Sequence, residues 1–225
     1  DINPPLKDNV PNPSLMSDRV KASDRTFEAI KKSENIAVLG DYDVDGSTSV
    51  AMIVKYFQSL GVNIQFHIPN RFTEGYGPNK EVFKKFSQDN VKLVFTVDCG
   101  TMSYSEMEFA KEEGLDVIIL DHHQPEAKYP EAFAFINPNR FDDDSQLGYL
   151  AAVGVSFMFL VSLNRKLRSE NWFKSKNFEE PNLITFLDLI ALGTICDSVP
   201  LKGINRLMVI NCLLYTSDAA DDIPR

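Results

Sequence analysis

Ile36-Ala37-Val38-Leu39-Gly40-Asp41-Tyr42-Asp43-Val44-Asp45-Gly46 passes without a break from an apolar run into three carboxylates spaced two residues apart. The apolar part is too short for a buried helix and has the length of a buried strand. The segment after it, STSVAMIVKYFQSLG (47–61), carries apolar residues at helical spacing, so the whole reads as strand, acidic turn, helix. The same alternation continues. Strand-length apolar runs recur at 63–69 (NIQFHIP), 92–97 (KLVFTV), 116–120 (DVIIL) and 132–136 (AFAFI), with helical spacing between them at 78–88 (PNKEVFKKFSQ) and 105–114 (SEMEFAKEEG). Strands alternating with helices predict right-handed crossovers and an α/β fold whose doubly wound, mostly parallel sheet is flanked by helices. A helix over 18–33, with Ser17 as its N-cap, is expected to pack on that sheet.

The rhythm breaks at NPNRFDDDSQLG (137–148), an acidic, turn-prone stretch. Beyond it, YLAAVGVSFMFLVSLNRKL (149–167) reads as a long, largely buried helix. A polar loop over 169–181 then leads to NLITFLDLIALGTICDSVPL (182–201). The expected organisation is an N-terminal extension (1–16), an α/β catalytic core (17–148), a helical extension of the same domain (149–211) and a tail (212–225). In the tail, CLLYTSDAADDIPR drops the helical pattern and resembles translated non-coding sequence, so no function is assigned to it. The absence of an initiating Met suggests a fragment of a longer protein.

With 225 residues, 44% of them hydrophobic, the chain can bury one sizeable core. No apolar run is long enough to span a bilayer, and the polar, Pro-rich start has no signal-peptide character, so a cytoplasmic location without membrane attachment is expected. Cys99, Cys196 and Cys212 lack CxxC spacing, which argues against a disulfide framework and a zinc knuckle. The formal net charge of -9 argues against nucleic acid as a partner. That objection weakens only if acidic residues hold divalent cations, which would reverse the local sign.

In an open parallel sheet, ligands bind outside the carboxyl ends of the strands. Asp41, Asp43 and Asp45 follow the first strand there, Asp98-Cys99-Gly100 the third, and Asp121-His122-His123 the fourth. Asp197 can close the group from the side. Taken singly, DYDVDG also fits an N-cap and turn, and DCG a strand-ending turn. Taken together, so many carboxylates on one edge would repel one another unless cations neutralised them. A donor set of carboxylates with one or two imidazoles suits Mn²⁺ or Mg²⁺. One Asp shared by two ions would give the arrangement that activates water for in-line displacement at phosphorus.

DYDVDG, DCG, DHH and ICDSVPL, in this order and at these separations, resemble the signature motifs of the DHH phosphoesterase superfamily, and within it the RecJ family of single-strand-specific 5′-to-3′ DNA exonucleases. IPNRFTEGYGPN (68–79) and LAAVGVSFMFLVSLNRKLR (150–168) strengthen the RecJ resemblance, which runs from about residue 17 to 211. It implies one or two Mn²⁺ or Mg²⁺ ions on Asp43, Asp45, Asp98, His122 and Asp197, with Asp98 bridging. His123 would stand beside the scissile phosphate and Asp41 would orient a ligand or a water. Arg71, Glu74, Gly75 and Tyr76 would contact the strand, Arg71 as a phosphate clamp and Tyr76 as a stacking platform, although EGYG also reads as a plain turn. Leu39 departs from the pattern: many members carry a His there, and a metal relying on that imidazole would lose a ligand.

The function so implied is removal of 5′-mononucleotides from single-stranded DNA in repair and recombination, alongside a helicase and a single-strand-binding protein. The alternatives are another phosphoesterase of the superfamily, acting on oligoribonucleotides or 3′-phosphoadenosine phosphate, on cyclic dinucleotides or on pyrophosphate, and a non-catalytic DHH scaffold.

Overall fold

The computed structural model describes residues 11–12 and 15–216. Most of the expected extension at 1–16 and the tail from residue 217 onward therefore lie outside the described residues. Five parallel strands form one sheet: β1 (Asn35–Gly40), β2 (Ile64–His67), β3 (Val91–Val97), β4 (Asp116–Leu120) and β5 (Ala134–Ile136), in the order β2-β1-β3-β4-β5. The α/β reading holds, and the order explains where a ligand would go. Strand order reverses between β1 and β3, and the crevice of a doubly wound sheet opens at the carboxyl ends of such a pair.

The apolar runs are continuous because both faces of the sheet are covered. Ile36, Val38, Leu93, Phe95, Val97, Ile118 and Leu120 point into the larger core. That core is filled by α1 (Arg19–Lys32), α2 (Val44–Ser59), α5 (Ala152–Ser169), α7 (Leu187–Cys196) and α8 (Gly203–Thr216). Ala37, Leu39, Val94, Val117 and Ile119 alternate with them and face the smaller core built on α3 (Lys80–Gln88) and α4 (Tyr104–Glu112). Leu39 is thus an enclosed core residue, with no measurable exposure.

Several local expectations are corrected. Ser17 does not cap α1: its N–H donates to Asp143 Oδ2 at 2.7 Å and its hydroxyl to the Asp142 carbonyl. Asp18 occupies the cap position with φ 56°, but its carboxylate is spent on the Phe135 N–H and on Arg140, so the helix start is tied to the 140s loop. Helix α2 begins at Val44, three residues before the apolar pattern suggests, because Asp43 accepts from the Gly46 N–H at 2.9 Å and caps it. The loop expected over 169–181 contains a further short helix, α6 (Trp172–Lys176). Trp172 and Phe173 bury their rings there, with Phe178 stacked on Trp172 at 5.4 Å. The loss of helical pattern expected at residue 212 does not occur, since α8 runs through Thr216 and buries Cys212. Among the described residues no helix is long and apolar enough to cross a membrane.

Candidate metal centre

Each acidic cluster reaches the carboxyl edge for a local reason. Asp41 leaves β1 and is buried, and Gly46 lets the chain fold tightly over it: a Cβ at Gly46 would lie 2.5 Å from the Asp41 carbonyl oxygen. Asp45, in the first turn of α2, is 1% exposed and reaches across to α5. Its Oδ2 accepts from the Ala152 N–H at 2.6 Å and its Oδ1 from the Val153 N–H at 2.9 Å. A helix N-terminus offers unpaired donors and a positive dipole end, which makes it a suitable anchor for a buried carboxylate. Asp98 follows β3 with φ 59°, a left-handed conformation that Asp tolerates better than most residues. Asp197 terminates α7.

Gly193 lets α7 approach this group. A Cβ there would sit 2.5 Å from Thr48 Oγ1, 2.9 Å from Val153 Cγ1 and 3.1 Å from Asp45 Oδ1. Gly→Ala inside a helix normally stabilises by about 1 kcal/mol, but here overpacking dominates. Gly193→Ala is expected to lower unfolding stability by about 1–2 kcal/mol in a urea titration and to weaken divalent-cation binding by displacing Asp45.

The side chains converge on His122. Its Nε2 lies 3.3 Å from Asp98 Oδ1, 3.7 Å from Asp197 Oδ2 and 3.9 Å from Asp45 Oδ2. These separations are long for hydrogen bonds. They fall between the roughly 3 Å and about 4.2 Å that separate adjacent and opposite ligands around an octahedral divalent ion. Three overlapping groups have ligand atoms within 4.8 Å of one another: Asp98 with Asp121, His122 and His123; Asp45 with His122 and Asp197; Asp41 with Asp43 and Asp98. Asp98 and His122 each belong to two of them.

Electrostatics makes the group costly without a cation. Among the described residues no lysine or arginine pairs with Asp41, Asp43, Asp45, Asp98, Asp121 or Asp197; Asp45, Asp98 and Asp197 face His122, and Asp121 faces His123. Burial, followed by the charges of Asp45 and Asp43, pushes Asp98 up to about 10. Burial likewise raises Asp45 to about 6 against its hydrogen bonds from α5. Asp41 and Asp197 are also raised by burial, and each leaves one buried carboxylate oxygen, Asp41 Oδ1 and Asp197 Oδ2, without a hydrogen-bond partner among the described residues. Orphaned buried acceptors of this kind are expensive. A divalent cation supplies what both oxygens lack, so the donor set fits one.

Asp121 is different. It is fully buried, which would raise it, yet its hydrogen bonds with His123 and Thr101 bring it down to about 2. Its Oδ1 meets His123 Nδ1 at 2.7 Å and accepts from the His122 N–H, while Oδ2 accepts from Thr101 Oγ1 at 2.6 Å. The same contact raises His123, whose side chain is 45% exposed at the cleft. Asn137 donates to the His123 carbonyl at 2.8 Å and to Thr101 Oγ1, and Asn139 donates to the His122 carbonyl. Thr101, Asn137 and Asn139 brace the candidate site and were missed by the sequence reading. The signal was available, because Asn137 directly follows β5 at the same carboxyl edge that drew attention to the other strands.

The 68–78 loop rims the group. Tyr76 Oη donates to the Asp98 carbonyl at 3.0 Å, and the Arg71 guanidinium lies 5.4 Å from the centre of the Tyr42 ring. Glu74 is turned toward its own loop, with Oε2 2.7 Å from His67 Nε2 and Oε1 accepting from the Asn70 N–H. Gly75, at φ 81°, supplies the left-handed turn between them.

A parallel sheet with carboxylates and imidazoles gathered at its switch point defines a class, and residues 35–194 match the DHH family, N-terminal domain. The chain belongs to the DHH family. Within that family it is 42% identical over 189 residues to the single-stranded-DNA-specific exonuclease RecJ of Escherichia coli, covering 84% of this chain and 33% of that one. The chain therefore spans about a third of the length of this curated relative. Among solved structures, exonuclease RecJ bound to manganese superposes with TM-score 0.75 at 32% identity, covering 88% of this chain and 48% of the other. RecJ of Thermus thermophilus in complex with Mn²⁺ gives 0.72 at 30% identity, covering 95% and 28%.

Proposed function

We propose that this chain is the catalytic part of a single-strand-specific 5′-to-3′ DNA exonuclease that works with Mn²⁺ or Mg²⁺. The observation that carries the proposal is the convergence of Asp45, Asp98 and Asp197 on His122 from separate segments, with no lysine or arginine paired to them among the described residues. The resemblance of the whole region to RecJ, a single-stranded-DNA-specific exonuclease, narrows the chemistry to phosphodiester hydrolysis.

Asp43, Asp45, Asp98, His122 and Asp197 would hold the cations, with Asp43 and Asp98 grouped with Asp41 on one side and Asp45 and Asp197 with His122 on the other. Bound there, divalent cations would lower the pKa of water and offset negative charge on phosphoryl oxygens. The protein's own contribution is positioning. Asp121 fixes the His123 ring through Nδ1 and favours its protonated form, which leaves Nε2 as a donor toward a phosphoryl oxygen. Arg71 would clamp a strand phosphate from the rim, where it stands over Tyr42, and Glu74, Gly75 and Tyr76 shape the loop that presents it. The net charge of -9 is compatible with a phosphate partner because the acidic residues of the cleft are those that cations would cover.

Asp121→Asn is expected to lower kcat by roughly 10- to 100-fold, because it disturbs His123 and the turn that carries His122, while the group of Asp45, His122 and Asp197 keeps all its ligand atoms. Cytoplasmic location, a role in repair and recombination, and work beside a helicase and a single-strand-binding protein belong to the same proposal. The test of function is a substrate panel. Full-length protein with Mn²⁺ should release 5′-mononucleotides from a 5′-phosphorylated single strand far faster than it cleaves a linear dinucleotide, a cyclic dinucleotide or pyrophosphate. Preference for any of the small substrates would overturn the exonuclease reading.

A further inference from the structure

We infer that Tyr76 is a positioning residue, holding the Asp98 turn in register with the strand-binding loop through its hydroxyl while its ring packs edge-on against His123. The inference deepens the exonuclease reading and rests on it for the turnover part of its test. Its ground is the contact pattern of one side chain. Tyr76 Oη donates to the Asp98 carbonyl at 3.0 Å and lies 3.5 Å from His123 Nδ1, while its ring meets the His123 ring edge-on at 6.0 Å and 77°. One phenol therefore touches the backbone of a proposed ligand and the imidazole proposed to face the phosphate.

The turn it holds needs holding. Asp98 sits at φ 59° and Gly100 at φ 109°, so two residues of the three-residue turn are left-handed. A left-handed non-glycine residue costs about 1–2 kcal/mol and persists only where its surroundings fix it. The Asp98 N–H is fixed by the Leu120 carbonyl, and the opposite side of the residue, its carbonyl, is fixed by Tyr76. The orientation of that peptide sets where the Asp98 carboxylate points.

Tyr76 in turn belongs to a braced loop. Glu74 binds His67 Nε2 and the Asn70 N–H, Asn70 Oδ1 accepts from the Phe72 N–H at 2.9 Å, and Arg71 lies over Tyr42, between Asp41 and Asp43. A strand that engages Arg71 would press on the same rigid loop whose far end sets Asp98 and His123. Binding and ligand geometry are then linked through one hydroxyl.

Two roles for Tyr76 make opposite forecasts. A base-stacking platform needs the ring alone, so Tyr76→Phe would be silent and Tyr76→Leu would raise KM. A positioning hydroxyl makes Tyr76→Phe the damaging change. In the full-length protein, Tyr76→Phe should lower kcat roughly tenfold with KM unchanged, and Mn²⁺ affinity by calorimetry should fall about tenfold. Wild-type kcat and wild-type Mn²⁺ affinity in Tyr76→Phe would overturn the inference, as would an effect confined to KM. If the wild-type protein digests no single strand, the exonuclease reading fails separately, and the Mn²⁺ affinity of Tyr76→Phe against wild type still decides the role of the hydroxyl.

Discussion

Asp98→Asn in the full-length protein is expected to reduce single-strand digestion by about 10³-fold or more, while raising the melting temperature of the metal-free protein. Both effects come from one position. Asp98 belongs to two of the three candidate ligand groups, so its loss impairs each. It is also the carboxylate that burial and the charges of Asp45 and Asp43 disfavour most openly, pushed to about 10. An amide of the same shape is neutral without taking up a proton, and Asn accepts the φ of 59° at least as well as Asp, so the backbone need not move. Activity and stability should therefore move in opposite directions. Digestion at the wild-type rate, or a metal-free protein that melts lower than wild type, would contradict this account of Asp98.

Metal-free protein should lose stability as pH rises from 5.5 to 8, and Mn²⁺ should restore it. Asp98 and Asp45 have folded-state values of about 10 and about 6, above the roughly 3.9 of an unfolded Asp. Between those limits the folded state binds more protons than the unfolded state, so stability falls with pH by about 1.4 kcal/mol per pH unit for each such proton. His123, raised chiefly by its bond to Asp121, adds to the trend, because its contribution is lost as pH climbs through its folded value. Asp121 acts oppositely, but its window lies below the range tested: its contribution is lost only as pH falls toward about 2. Melting in EDTA should drop on the order of 10 °C between pH 5.5 and 8. Mn²⁺ at about 100 times its Kd should add about 2.7 kcal/mol at pH 8. A metal-free melting curve that is flat or rises over this interval would show that the cluster is not electrostatically loaded.

The fold was legible because its main signals are periodic. Strand-length runs such as 36–40 and 116–120 are apolar throughout since the sheet is covered on both sides, and the intervening helices leave no other arrangement for chain of that length. What escaped were features settled by long-range contacts. Ser17 looks like a cap by type, yet Asp142 and Asp143, more than a hundred residues away, claim it. Trp172 and Phe173 lie in a polar stretch whose composition conceals a buried helical turn.

The site divides along the same line. Asp41, Asp43, Asp45, Asp98, His122 and His123 stood out as acidic and imidazole side chains following apolar strands, and Asp197 as an acid following a long apolar helix. The second use of each residue did not stand out. Asp43 is both a helix cap and a member of a ligand group, and Asp45 anchors the N-terminus of α5 with the carboxylate that faces His122. The supports, Thr101, Asn137, Asn139 and Gly193, are of types common in any loop or helix. Their importance exists only once the chain has folded them against the acidic residues.

Crystals soaked in Mn²⁺ and measured at the manganese absorption edge test the central idea most directly. The predicted result is an anomalous peak bonded at about 2.1–2.2 Å by Asp98 and His122, completed by Asp45 or Asp197, and absent from Asp98→Asn crystals. Manganese bound elsewhere, with those side chains unengaged, would contradict it.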